Sequence, residues 1–202
     1  MSKILVVDNF VPNPDAVRQS ALVSGFGTWK PDATVIGYEN YDGVNINGMH
    51  SCLVKALTDA MGCSIYPESM IFRVTGEKSD PSRVHSDRMF GSYSCIVYLS
   101  REYEMSGTGF YKHIQSGEYE MPDLNRLIGT PEFETRKKEM DEASDQVWKQ
   151  VHFVEGKYNR ALIFKAPLYH ARIPKLGKGT TPEDSRMIWC CHFNIGGLGI
   201  CV

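Results

Sequence analysis

Val84-His85-Ser86-Asp87, separated by five residues from Tyr93-Ser94-Cys95-Ile96-Val97-Tyr98-Leu99-Ser100, is the stretch that decides the architecture of this chain. The run from Tyr93 is dominated by β-branched, aromatic and small residues and reads as a strand. Just ahead of it, His85 and Asp87 stand two apart, and on an extended chain residues two apart point to the same side. An imidazole and a carboxylate are thereby offered together to one ion. A second imidazole must come from elsewhere, and His170, within Leu168-Tyr169-His170-Ala171-Arg172 on another strand-like run, is the choice.

Outward from this centre the texture is that of an antiparallel sandwich or barrel, with short β-type runs separated by Gly, Pro, Ser and Asp. Met70–Thr75, Tyr93–Ser100, Thr108–His113, Arg160–Lys165, Leu168–Ile173 and Arg186–Phe193 read as strands. Pro131–Gln150 reads as a helix capped by Thr130 with Pro131 in its first turn, and it carries six acidic and four basic residues. Upstream lie a short strand at Ile4–Val7, a helix opened by Asn13 and Pro14, and a helix at Met49–Met61 stopped by Gly62. The expected class is mainly β with flanking helices (α+β). The expected organisation is one domain, 1–202, with an N-terminal helical flank 1–68 and a β core 69–202 bearing an insert at 114–150.

Composition narrows the function classes. The 202 residues are 42% apolar and 23% charged, ordinary globular usage. Acidic residues number 24 against 22 basic, a net charge of -2, so no global cationic field recommends nucleic acid as a partner. The apolar run Ile4–Val7 is too short for a signal-peptide core and nothing later approaches a membrane span, which makes a cytoplasmic location the expectation. Six cysteines without CxxC spacing argue against a disulfide scaffold and a structural zinc site, and all are expected to be reduced. Cys190 and Cys191 would face opposite sides of a strand.

Two imidazoles and one carboxylate on one face of an octahedron leave three positions open, the arrangement of non-haem Fe(II) oxygenases. The residues around the three donors fall in a telling order: His85-Ser86-Asp87, Ile96-Val97-Tyr98-Leu99-Ser100, Ser106-Gly107-Thr108-Gly109-Phe110, Ala161-Leu162-Ile163-Phe164, His170, and Arg186-Met187-Ile188-Trp189. In that order they resemble the 2-oxoglutarate/Fe(II)-dependent oxygenase superfamily, in particular its prolyl-hydroxylase-like branch. The resemblance implies a double-stranded β-helix, or jelly roll, with the N-terminal helices packed outside. It further implies that His85, Asp87 and His170 hold Fe(II), that 2-oxoglutarate chelates the iron, and that Arg186 pairs with its distal carboxylate. Arg73 and Arg172 are the other candidates for that pairing, and Tyr98 and Tyr169 could add hydroxyl contacts.

The implied activity is hydroxylation of a substrate with O2 while 2-oxoglutarate becomes succinate and CO2, and the presence of Asp87 argues for this over halogenation. The alternative is a jelly-roll or cupin-like metal-binding protein without 2-oxoglutarate turnover. The primary substrate is not legible. His113, His152 and His192 read as structural or surface histidines, although His192 shares the alternation of Arg186, Ile188 and Cys190. Between Lys157 and Pro182 six basic residues occur with no acidic one, which either attracts 2-oxoglutarate or an acidic substrate or is merely solvated. The segment Ile114–Gln150 reads equally as a mobile cover over the site or as a static surface helix docked by Phe133 and Trp148.

Overall fold

The computed structural model describes residues 4–23, 38–39, 49–77, 82–101, 106–123, 128–142 and 144–196. Strands β1 (Leu5–Val7), β2 (Tyr38–Glu39), β3 (Ile65–Thr75), β4 (Tyr93–Tyr98), β5 (Gly107–His113), β6 (Trp148–Glu155), β7 (Arg160–Lys165), β8 (His170–Ile173) and β9 (Arg186–Ile195) form two sheets. One has the order β1-β7-β4-β9-β3-β2 and the other β6-β5-β8, and every pairing between these strands is antiparallel. Both sheets line one cavity. This is the jelly-roll arrangement expected from the sequence, and the residues ahead of 69 join it through β1, β2 and the start of β3.

Strand β9 shows how the sequence divides its work. Arg186, Ile188, Cys190 and His192 line the cavity, while Met187, Trp189, Cys191 and Phe193 enter the opposite, wholly apolar cluster. The period of two does this without any special residue. The outer cluster also contains Val17 and Ala21 of helix α1 (Pro14–Val23) and Leu53 and Leu57 of helix α2 (Met49–Met61). Asn13 caps α1, its Oδ1 accepting from Ala16 N–H at 3.1 Å, and Gly62 ends α2 with φ +65°.

Close packing explains one glycine of the Ser106–Phe110 motif. A Cβ on Gly107 would stand 2.1 Å from the Val154 carbonyl oxygen, so only glycine lets β5 lie this close to β6.

The third helix corrects the sequence reading. It is α3 (Pro131–Glu142), capped by Thr130 Oγ1 at 3.3 Å from Phe133 N, and it does not reach Gln150. From Trp148 the chain is already β6, paired with β5 from Gly107 to His113, so the insert is shorter than 114–150. No Gly or Pro marks the break. The turn is made by Ser144, whose carbonyl accepts from Val147 and Trp148 N–H and whose hydroxyl accepts from Gln146 N–H. Residues 124–127 and 143 of that insert lie outside the described residues. The solvated character expected of the helix holds for one side only. Arg136 is 4% exposed, within 3.0 Å of Glu118 and 3.9 Å of Glu139, and Phe133 and Met140 pack on the cluster of Trp148 and Tyr169.

A second correction concerns the thiols. Cys52, Cys95, Cys190 and Cys191 are free, but Cys63 is disulfide-bonded. A single bridge leaves no spacing pattern in a sequence. No helix among the described residues is long and apolar enough to cross a membrane.

Candidate functional site

His85 and His170 meet because their backbones pair. His85 N–H donates to His170 O and His170 N–H to His85 O, both at 2.9 Å, an isolated antiparallel bridge that continues the smaller sheet. Residues in such a pair present their side chains to the same face, and the two ring centroids stand 4.3 Å apart. Each ring is then fixed by the carbonyl two residues before it: Nδ1 of His85 lies 2.9 Å from Arg83 O and Nδ1 of His170 2.9 Å from Leu168 O. A carbonyl only accepts, so both Nδ1 atoms carry a proton, and it is the Nε2 atom of each ring that lies near the Asp87 carboxylate.

Asp87 completes the group. One donor atom from each of His85, Asp87 and His170 lies within 4.8 Å of the other two. Asp87 N–H donates to Ala166 O at 2.9 Å, which sets the turn, and Ser94 Oγ–H donates to Asp87 Oδ2 at 2.8 Å. The same Oδ2 lies 3.3 Å from Nε2 of both His170 and His192, whereas Oδ1 lies 3.7 Å from His85 Nε2. Burial opposes charge on Asp87, but the three imidazoles hold its pKa well below the ordinary carboxylate range. Burial and then His170 push His85 down to about 4, so it is neutral at neutral pH. Burial opposes the proton on His192 as well, yet Asp87 and Cys190 hold it up to about 10.

His192 is the residue that sequence reasoning set aside. It stands opposite Ser69 of β3 and Ser94 of β4 in register, and Ser69 Oγ lies 2.7 Å from its Nδ1. The signal was its alternation with Arg186; what no sequence shows is the register that carries it to Asp87. His113 and His152 are elsewhere. His113 is buried against Glu139 at 3.2 Å, and His152 lies exposed near Phe110.

The cavity behind these donors measures about 490 Å³. All three candidate arginines border it: Arg186 from β9, Arg73 from β3 and Arg172 from β8. Arg186 is 4% exposed, with its guanidinium 5.7 Å from the centre of the Tyr98 ring. The Tyr98 hydroxyl pairs with Thr108 Oγ1 at 2.8 Å, so it is the ring of Tyr98 that faces Arg186. Tyr169 is fully buried and its hydroxyl donates to Met121 Sδ, away from the cavity. Arg172 spends N–H groups on the Pro174 and Lys175 carbonyls. Beside Arg186 in register stands Thr75, whose buried Oγ1 has no hydrogen-bond partner among the described residues. Such a hydroxyl costs free energy unless a ligand reaches it.

A family model, described as a family of unknown function (DUF6445), matches residues 81–184, just over half of the chain. The chain belongs to DUF6445. The matched span of this DUF6445 chain contains His85, Asp87 and His170 and ends before Arg186. No curated protein matches it. Among solved structures it is similar to HygX from Streptomyces hygroscopicus with nickel and 2-oxoglutarate bound. The identity is 12%, covering 95% of this chain and 82% of that one, with a TM-score of 0.55. It is also similar to EctD from S. alaskensis with 2-oxoglutarate and 5-hydroxyectoine, at 14% identity, 96% and 72% coverage and TM-score 0.54. A third neighbour is the non-heme alpha ketoglutarate dependent carbocyclase SnoK from nogalamycin biosynthesis, at 11% identity, 95% and 79% coverage and TM-score 0.55. At these identities the likeness is one of fold, and the fold of the DUF6445 chain is that of the non-heme 2-oxoglutarate-dependent enzymes.

Proposed function

We propose that this chain is an Fe(II)- and 2-oxoglutarate-dependent oxygenase of the prolyl-hydroxylase-like kind, a single domain whose β core begins near residue 69 and which hydroxylates its substrate with release of succinate and CO2. The observation that carries the reading is the convergence of His85, Asp87 and His170 at one cavity that Arg186 also lines. Two imidazole nitrogens and one carboxylate suit a divalent transition metal and leave positions for a chelating co-substrate. Thr75 Oγ1 and the guanidinium of Arg186 supply hydrogen-bond donors for a carboxylate at a site where the hydroxyl is otherwise unused.

Iron with 2-oxoglutarate and O2 supplies a two-electron oxidation of an unactivated C–H bond. The chain's own residues do the rest. Nε2 of His85 and of His170 and a carboxylate oxygen of Asp87 hold the ion, with their outward atoms fixed by Arg83 O, Leu168 O and Ser94 Oγ. Arg186, or failing it Arg73, grips the distal carboxylate of the co-substrate, with the Tyr98 ring beside the Arg186 guanidinium. Ile71, Ile96 and Ile188 give the wall between these ends an apolar surface that keeps water out.

Titration of the full chain with Mn(II) and then 2-oxoglutarate, followed by an assay for succinate with Fe(II) and O2, tests the reading. Arg186→Ala raises the 2-oxoglutarate dissociation constant about tenfold or more, the value of a charge-assisted pair at roughly 1.5–3 kcal/mol. An unchanged constant moves the role to Arg73 or Arg172, and absence of 2-oxoglutarate binding in the unaltered protein leaves the metal-binding alternative standing.

A second outcome of the same chemistry is favoured by the similar structures of SnoK, a carbocyclase, and SnoN, an epimerase, both alpha ketoglutarate dependent. Oxidation without transfer of a hydroxyl is distinguished by product mass, since hydroxylation adds one oxygen and the other reactions add none.

A further inference from the structure

The opening of the cavity carries an apolar surface that the proposed co-substrate does not use. Phe90 lines the cavity and is still 54% exposed, and Met89 beside it is 75% exposed. Scattered apolar residues on a surface are ordinary, but two adjoining ones where a cavity meets solvent mark a place for a ligand. Met140 of α3 lines the same cavity from a distant part of the sequence. Ile71, Ile96 and Ile188 already serve the wall along the co-substrate, so Phe90 and Met140 are left over.

The chain itself ties Phe90 to the metal donors. Its N–H donates to the Asp87 carbonyl at 2.8 Å, closing a turn over 87–90, so a single turn separates the ring from the Asp87 carboxylate. The ring stands 5.0 Å from that of His192, whose Nε2 lies 3.3 Å from Asp87 Oδ2. A group resting on the open side of Phe90 is thereby placed beside the donors. The polar groups nearby already have partners. Ser69 Oγ pairs with His192 Nδ1, Thr108 Oγ1 with the Tyr98 hydroxyl, and Ser82 Oγ accepts from Arg172 N–H. Arg83 and Lys137 are exposed, so water screens their charge, and Arg172 gives N–H groups to the Pro174 and Lys175 carbonyls.

We propose that the primary substrate is a small molecule with an aromatic ring, which seats against Phe90 and Met140 beside the metal donors, and that Phe90 is the residue that selects it. This rests on the oxygenase reading of the site. Rings pack on rings in offset or edge-to-face contacts, and a thioether adds a polarizable contact at a ring edge. A cavity of about 490 Å³ is of small-molecule size. A sugar or other polyol would cover Phe90 without finding new hydrogen bonds for its hydroxyls, and a saturated ring would forgo the ring-on-ring contact.

The experiment has two calorimetric arms on the Mn(II)-loaded full chain. The first titrates 2-oxoglutarate; failure to bind sinks the oxygenase reading and leaves the second arm interpretable. The second, with 2-oxoglutarate at saturation so that its own subsite is filled, or without it if the first arm fails, titrates matched probes. p-Cresol is set against 4-methylcyclohexanol, benzyl alcohol against cyclohexylmethanol, and myo-inositol stands for the polyols. The expected result is binding of the aromatic member about three- to tenfold tighter than its saturated partner, with a negative heat-capacity change, and no binding of inositol. Phe90→Tyr, which keeps the ring, keeps the preference. Phe90→Leu, which keeps an apolar side chain without a ring, loses it. Equal binding of the two members, including no binding by either across the panel, overturns the proposal, as does inositol binding as tightly as the aromatic probes. So does a preference lost in Phe90→Tyr, or one that persists in Phe90→Leu, while circular dichroism of the variant matches the unaltered protein.

Discussion

In the larger sheet Phe72, Trp189 and Phe193 meet α1 and α2 on one side, and on the other Ile71, Ile96 and Ile188 face the cavity among Arg73, Arg186 and His192. The smaller sheet is covered on its outer side differently. Tyr111, Trp148 and Tyr169 form a compact cluster there, and α3 is tied down by ion pairs around the buried Arg136, while β6 leaves Lys149, Gln150 and His152 in solvent. The larger sheet is thus held by burial, which tolerates small shifts, and the smaller by directional polar contacts, which do not. His85 and His170 belong to the second kind of structure and Arg186 to the first. Asp87 joins them, since Ser94 and His192 of the larger sheet hold the carboxylate that His170 of the smaller one faces.

Removing that joint has the largest expected effect. Asp87→Ala abolishes stoichiometric Mn(II) binding in calorimetry, because it takes away a donor and leaves His192 without its anion. His192→Ala keeps all three donors and weakens binding about ten- to hundredfold, the range for groups that orient a ligand. Equal affinity in His192→Ala and the unaltered protein would show that the larger sheet does not steady Asp87. The next effect tests the two kinds of cover directly. Leu57→Ala, beneath the larger sheet and fully buried, lowers unfolding free energy by about 2–5 kcal/mol in urea. Phe133→Ala on the half-buried side of α3 lowers it by less, and a larger loss there would reverse the ranking of the two regions.

Hydrogen exchange sharpens the same contrast on a smaller scale. Amides of β4 and β9 exchange slowest, and those of α3 faster. Slowing of α3 by Mn(II) and 2-oxoglutarate marks it as a cover over the cavity that Lys137 and Met140 line; strong protection already present in the empty protein, and unaltered by ligands, makes it scaffold.

The smallest effect is one of pH. Burial lowers the pKa of His50, whose neutral Nδ1 accepts from Trp189 Nε1 at 3.1 Å. The folded protein therefore binds this proton less readily than the unfolded chain, and stability falls as pH drops below about 6.5, the unfolded value. His50→Phe flattens the dependence of Tm on pH between 7 and 5; an unaltered slope assigns the dependence to other groups.

The sequence was legible where a short-range rule applied. His85 and Asp87 share a face by the period of two, Asn13, Thr130 and Gly62 mark helix ends, and β9 separates Cys190 from Cys191. It was opaque where register decided. Nothing local says that His192 stands opposite Ser94, or that Trp148 starts a strand while the charges ahead of it continue a helical pattern. The meeting of Phe90 and Met140 at one cavity is of the same kind, since their sequence separation carries no period.

The alternation along β9 has a consequence for how this protein tolerates change. Deleting Met187 would turn every following side chain to the other face, sending the His192 imidazole into the hydrocarbon layer under the helices and the Trp189 indole toward the cavity. A frame error of that size cannot alter the cavity and spare the scaffold. The strand is a single ruled line on which cavity and core are both written, so point substitutions are the only small edits open to it, and whatever constrains the cavity face also polices the alignment of the core.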